Sequence, residues 1–222
     1  MFYEPDKNNH GLRYNPFKSI CVPRPIAWVS SLSASGVPNL APFSQFTNVS
    51  FDPPHILISA RAGTDTARNV NATGEFVINM ATYDLRKAVN ATSAVVAPEI
   101  DEAGLAGLEM VPAKLVKPSR VAASPVQMEC RLHSSVVIPG RLPDAAHNLI
   151  IGRVIGIHIR DDVLTGDGKI DTAKIRPLAR MGYLDYTSVE TVFTMPPPDG
   201  PNAEASRRGM EGRPDLAVAA VK

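Results

Sequence analysis

HILIS (55–59), SARAGTDTARNV (59–70) and EFVINM (75–80) follow one another almost without interruption. The outer two are short, β-branched and bounded by turn residues, which predicts two buried strands. Between them sit two arginines, two threonines, an aspartate and an asparagine. A connection so rich in N–H, O–H and guanidinium donors suits an anion. It lacks the GxxxxGK[ST] spacing of a P-loop and the GxGxxG of a dinucleotide site, so an anion held here would be held on a different fold. Thr64 or Asp65 can cap a short helix inside the connection, and Gly74 can end it.

The same strand-and-turn pattern extends in both directions. IAWVSSL (26–32) predicts a strand, SASGVPN (33–39) a glycine-containing turn, and LAPFSQFTNVS (40–50) a second strand. TYDLRKAVNATSAVV (82–96) has helical composition, and PEIDEAGLAGLEM (98–110) predicts a loop or broken helix. SPVQMECRLHSSVVI (124–138) alternates, with Val126, Met128, Cys130 and Leu132 on one face and Gln127, Glu129, Arg131 and His133 on the other. NLIIGRVIGIHI (148–159) predicts another strand, with Gly152 and Gly156 placed to bend it or admit a ligand. SVETVFTM (188–195) predicts a last one. The 20 prolines fall largely at strand ends. The expected fold is mainly β, an antiparallel barrel with a few helices. Residues 1–195 are expected to form one domain, and 196–222 an extended or disordered arm.

At 222 residues, 44% hydrophobic and 20% charged, the chain can bury a substantial core. A formal net charge of +1 without a basic stripe argues against nucleic acid. Cys21 and Cys130 lie far apart, with no CxxC pair, and the histidines show no metal-ligand spacing such as HExxH, so no metal is expected. The polar, proline-bearing N-terminus is unlike a signal peptide, and no apolar run approaches a membrane span. A reduced, cytoplasmic setting is expected.

PRPIAWVSSLSASGVPNLAPFSQFTNVSFDPP, TDTARN, GEFVIN, HNLIIGRV and PLARMGYLDY occur in order from about Tyr14 to about Met195. Together they resemble the flavin reductase-like family of FMN-binding split-barrel proteins, particularly the branch with flavoredoxin and the reductase components of two-component monooxygenases. The resemblance implies a Greek-key split barrel, a homodimer with FMN at its interface, NADH or NADPH as co-substrate, and a monooxygenase or other electron acceptor as partner. A flavoredoxin-like electron carrier without efficient use of either dinucleotide is the alternative. In the family, the segment matching SARAGTDTARN cradles the FMN phosphate. This assigns Ser59, Arg61, Thr64, Asp65, Thr66 and Asn69 to the cofactor, with Asp65 as a helix cap or an arginine partner pointing away. Relatives commonly carry a lysine where this chain has Thr64, so Arg61 or Arg68 must supply the charge.

The resemblance also places Pro42, Phe43, Ser44, Phe46 and Asn48 along the isoalloxazine wall. Trp28 either faces the flavin or packs in the core, and Ser30 is a candidate for ribityl or phosphate contact. His147 precedes its strand near the flavin edge, where it would position a ligand or stabilise charge; otherwise it is a solvent-facing turn residue. Arg180 and Tyr183, in a loop before the last strand, either border the cofactor or, for Arg180, pair with Asp185. His147 and Arg180 are the candidate catalytic groups, expected away from the phosphate cradle.

Overall fold

A computed structural model describes residues 1–198 and Gly200. Twelve strands are found among these residues: β1 (Arg24–Pro25), β2 (Ala27–Leu32), β3 (Pro38–Phe43), β4 (Phe46–Phe51), β5 (Pro54–Arg61), β6 (Glu75–Met80), β7 (Met110–Val111), β8 (Arg120–Val121), β9 (Val126–Ile138), β10 (His147–Ile159), β11 (Leu178–Gly182) and β12 (Asp185–Ser188). Four short helices interrupt them: α1 (Asp65–Thr73), α2 (Arg86–Ala91), α3 (Glu102–Leu105) and α4 (Thr172–Ile175). Seven strands form one antiparallel sheet in the order β3-β2-β6-β9-β10-β5-β4. Strands β1, β11 and β12 form a small second sheet, and β7 pairs with β8.

The large sheet curls on itself. Val29, Ile58, Phe76, Ile78, Cys130 and Ile150, from five different strands, share one buried cluster, and Phe43 and Phe46 from the two edge strands pack against it. Curling lets both edges contribute to a single core, and the result is the expected barrel. At Gly152 the barrel interior leaves no room for a side chain: a Cβ there would lie 2.4 Å from the Phe76 ring. That glycine therefore admits Phe76, not a ligand.

A second core lies outside the barrel wall. Trp28, Leu40, Val89, Ala103, Val121 and Leu178 join the outer face of β2 and β3 to α2, α3, β8 and β11. Strand β2 is thus buried on both faces, which explains why its sequence is apolar or small throughout.

Several expectations need correction. The segment 40–50 is not one strand: the chain breaks at Ser44 and Gln45, and β3 and β4 part to opposite edges of the sheet. Helix forms over only Arg86–Ala91 of the 82–96 segment. The polar face of β9 is not solvated at its start, where Gln127 and Glu129 are buried. The chain 112–124 folds over that face and gives those side chains backbone partners. The last strand is β12 and not 188–195: past Ser188 no neighbouring strand offers a ladder among the described residues. The expected C-terminal arm falls mostly on 199 and 201–222, outside the described residues.

Candidate functional site

The donor-rich connection folds as its sequence implies. Thr64 has extended geometry, and its hydroxyl accepts from the Ala67 N–H, so Thr64 and not Asp65 caps α1. Gly74 ends the helix in the left-handed region at φ 73°. Thr66, Ala67, Asn69 and Val70 form the buried face. Asn39 donates to the Thr66 hydroxyl at 2.9 Å, and both Asn39 and Asn69 donate to Ser31. This buried amide–hydroxyl network fixes the helix start against β2 and β3.

In front of the α1 N-terminus lies a cleft of about 530 Å³, within the size range of small-ligand sites. Asn39, Pro42 and Phe43 form one wall and Arg61, Thr64 and Thr66 the cradle, while residues 92–96, Glu102 and Asp144 close the far side. The two arginines of the opening motif part company here. Arg68 is spent locally, donating to Asp65 and to the Gly63 carbonyl. Arg61 is exposed at the cleft and has no such partner among the described residues. A helix N-terminus and an uncommitted guanidinium that face one space fit a phosphate. Of the two roles expected for Asp65 it takes that of arginine partner, but it lines the cleft and does not point away from it. Its pairing with Arg68 reduces its repulsion of an anion.

Glu102 is a group the sequence did not single out. It is 7% exposed, lines the cleft and accepts the Leu40 N–H at 3.0 Å. Burial pushes its carboxyl above the ordinary range, two backbone N–H groups oppose that, and Asp65 and Asp101 raise it further. The Asp101 cap predicts where α3 starts. No local pattern says that the next residue turns inward.

The other predicted residues scatter. Trp28 has no exposed surface; its indole N–H donates to Thr92 at 2.8 Å within the outer core. Ser30, 3% exposed, donates to the Ser119 carbonyl. Both leave the candidate ligand set, because alternate residues of β2 face opposite ways and these two face the outer core and not the cleft. Asn69 is likewise engaged inside, holding Ser31. Phe46 packs on the barrel core, and Asn48 is exposed on edge strand β4.

His147 is not separate from the cradle. It is the first residue of β10, opposite Arg61, and its Nδ1 lies 3.1 Å from the Ser59 hydroxyl. Arg180 lies within β11 and not in a loop. It donates to Tyr186 and to the Tyr183 carbonyl, and does not pair with Asp185. Arg180, Tyr183 and Ser44 line a second cleft. The corner 41–45 is thus shared: Ala41, Pro42 and Phe43 face the cradle cleft, and Ser44 and Gln45 the second.

Among the described residues no helix is long and apolar enough to cross a membrane. The solved nitrilotriacetate monooxygenase component B from Bacillus cereus superposes with a TM-score of 0.81 at 29% identity, covering 88% of this chain and 98% of that one. A protein with a split barrel domain from Shewanella frigidimarina superposes at 0.77 and 19% identity, covering 89% and 100%, and shares the fold. An uncharacterized protein of Halalkalibacterium halodurans is 35% identical over 203 residues, 89% of this chain and 97% of that relative. Residues 19–178 match the model of the flavin reductase like domain, and the chain belongs to that family.

Proposed function

We propose that the chain binds FMN in the cradle cleft, takes electrons from NADH or NADPH and passes them to a partner oxygenase. The observation that carries this reading is the pairing of the uncommitted Arg61 with the start of α1, at one end of a cleft walled by Pro42 and Phe43. Arg61 and the first free N–H groups of α1 hold the phosphate, while Thr64, whose hydroxyl donates to the Arg61 carbonyl at 2.9 Å, shapes the turn that presents them. Thr66 adds a hydroxyl whose proton has no acceptor among the described residues. The rigid 41–43 segment gives the ring an apolar face. When bound, the flavin supplies the hydride-accepting chemistry, so the protein needs no general base for that step. Its own residues position the ring, leave one face open and exclude water. His147, held by Ser59, sits beside Arg61 at the cradle, and Arg180, held by Tyr183 and Tyr186, lines the second cleft across the 41–45 corner.

The chain acts as a homodimer in this reading. Val136, Val137 and Ile138 are exposed in a row at the end of β9, and Ile138 lies opposite His147. Three consecutive exposed β-branched side chains beside the candidate site suit a second copy. The partner oxygenase is suggested by the Bacillus cereus component B. A flavoredoxin-like carrier remains the second reading, favoured if the bound flavin is reduced by neither dinucleotide.

Anaerobic stopped-flow absorbance of the flavin band decides between them. NADH or NADPH should bleach FMN bound to this protein faster than free FMN, and His147→Ala should slow the bleaching. Equal rates with and without protein would remove the reductase reading.

A further inference from the structure

A third cleft, of about 810 Å³, shares only Leu184 with the second and no residue with the cradle. Val89 on α2 and Leu178 on β11 lie at its base, and both belong to the outer core around Trp28. Tyr186 makes one wall. Arg180 lies over that ring at 4.4 Å but does not line this cleft, so it backs the ring from the side of the second one. Exposed Leu184 and half-buried Val189 extend the apolar surface. A hydrocarbon laid on these side chains would remove apolar area from water, and the volume suits a small ligand.

The charges at this cleft are unevenly spent. Arg86 and Arg176 both lie over the Tyr83 ring, at 3.9 and 4.2 Å. Arg176 shares its charge between Asp84 at 3.6 Å and Glu190 at 3.8 Å, and it does not line the cleft. Arg86 does line it. Its guanidinium donates to the Tyr83 carbonyl and is in no ion pair among the described residues. Glu190 is the one carboxylate among the lining residues, and Arg176 already draws on it. An apolar base beside one unneutralised fork is the pattern of a site for an amphipathic anion.

We propose that this cleft binds a small apolar carboxylic acid, with the carboxylate on the Arg86 fork and the hydrocarbon body over Val89, Leu178 and Tyr186. A planar guanidinium takes both oxygens of a carboxylate in parallel hydrogen bonds. Stacking on Tyr83 holds that fork in place. One unpaired arginine neutralises a single negative charge, whereas a phosphate dianion would keep an excess charge near Glu190. The site is separate from the cradle, whatever the cradle holds.

Calorimetric titration of the full chain uses hexanoate as the probe and hexanol as its uncharged counterpart. Wild type should bind hexanoate saturably and hexanol about tenfold or more weakly. Arg86→Gln should weaken hexanoate about tenfold or more, and Arg86→Lys should restore part of the loss, since a point charge replaces the fork. Glu190→Gln should tighten it, because a like charge leaves and Arg176 is released. Trp28, the one tryptophan of the chain, shares the outer core with Val89 and Leu178, so its emission should change as hexanoate binds. Hexanoate that fails to bind wild type, hexanol that binds as tightly, or an unchanged affinity in Arg86→Gln overturns the proposal. An affinity that Glu190→Gln leaves unchanged or lowers overturns it however Arg86→Gln folds. So does competition between hexanoate and FMN, which would put the acid in the cradle cleft.

Discussion

Glu129 and Glu102 are both buried carboxylates, yet they stand in opposite circumstances. Glu129, on β9, is 0% exposed and accepts from the N–H groups of Lys114, Leu115 and Val116, with His158 Nε2 2.5 Å away. Burial alone would raise its carboxyl, but these N–H groups and the imidazole hold it below the ordinary range. Glu102, at the cradle cleft, has fewer partners, and burial wins: its carboxyl is raised. A fully satisfied buried anion is structural glue, while a poorly satisfied one beside a cleft is a place where ligand charge is felt.

The largest expected effect is on the structural side. Glu129→Gln replaces an acceptor oxygen by an amide group that meets N–H donors, leaving them unpaired. We expect a loss of about 3 kcal/mol, read as a lower urea midpoint with unchanged slope. A loss below about 1 kcal/mol would break the comparison, since Glu129 would then be no better seated than Glu102.

On the cleft side, Arg61→Ala should weaken FMN by about 1–3 kcal/mol and leave riboflavin nearly untouched, because only FMN carries the phosphate. Flavin fluorescence titration measures both ligands. Equal losses would move the phosphate away from Arg61 and α1.

Acid stability separates the two carboxylates by sign. Glu129 has a folded value below its ordinary 4.5, so its contribution is present above about that pH and is lost as pH falls through the lower folded value. Glu102 has a raised folded value, so whatever it contributes is present at low pH and lost as pH rises through that value. Thermal melts across acid pH should therefore lose steepness in Glu129→Gln but not in Glu102→Gln.

The smallest effect is the most local. Glu102→Gln keeps an acceptor for the Leu40 N–H and removes a charge that burial disfavours. Stability at neutral pH should stay within about 1 kcal/mol of wild type or rise. FMN affinity in wild type should fall as pH rises and Glu102 ionises, since Glu102, Asp65 and Asp144 line the cleft with Arg61 as the facing cation. Glu102→Gln should flatten that dependence. An identical pH profile in both proteins would mean that the phosphate does not sense Glu102.

Local patterns carried the strands and the helix of the opening motif. HILIS and EFVINM became β5 and β6, and the Thr64 cap and terminal Gly74 hold α1 where expected. These features depend on neighbours within a few residues, so the sequence displays them. Trp28 and Ser30 show the limit. Strand alternation says that they share a face, but whether that face meets a ligand or α2 and α3 depends on chain far away.

The amino-acid sequence by itself determined an antiparallel β-rich chain, the strand–cradle–strand order around Arg61 and Thr64, and the family whose motifs it carries. Tertiary structure decided which arginine is free. It left Arg61 facing the cleft, turned Glu102 inward beneath Leu40, brought His147 to Ser59 and placed Arg24 opposite Arg180. The physical reason is separation along the chain. Caps and alternation act over a few residues, whereas burial and charge pairing are fixed only when the sheet curls and segments from Lys18 to Arg180 meet.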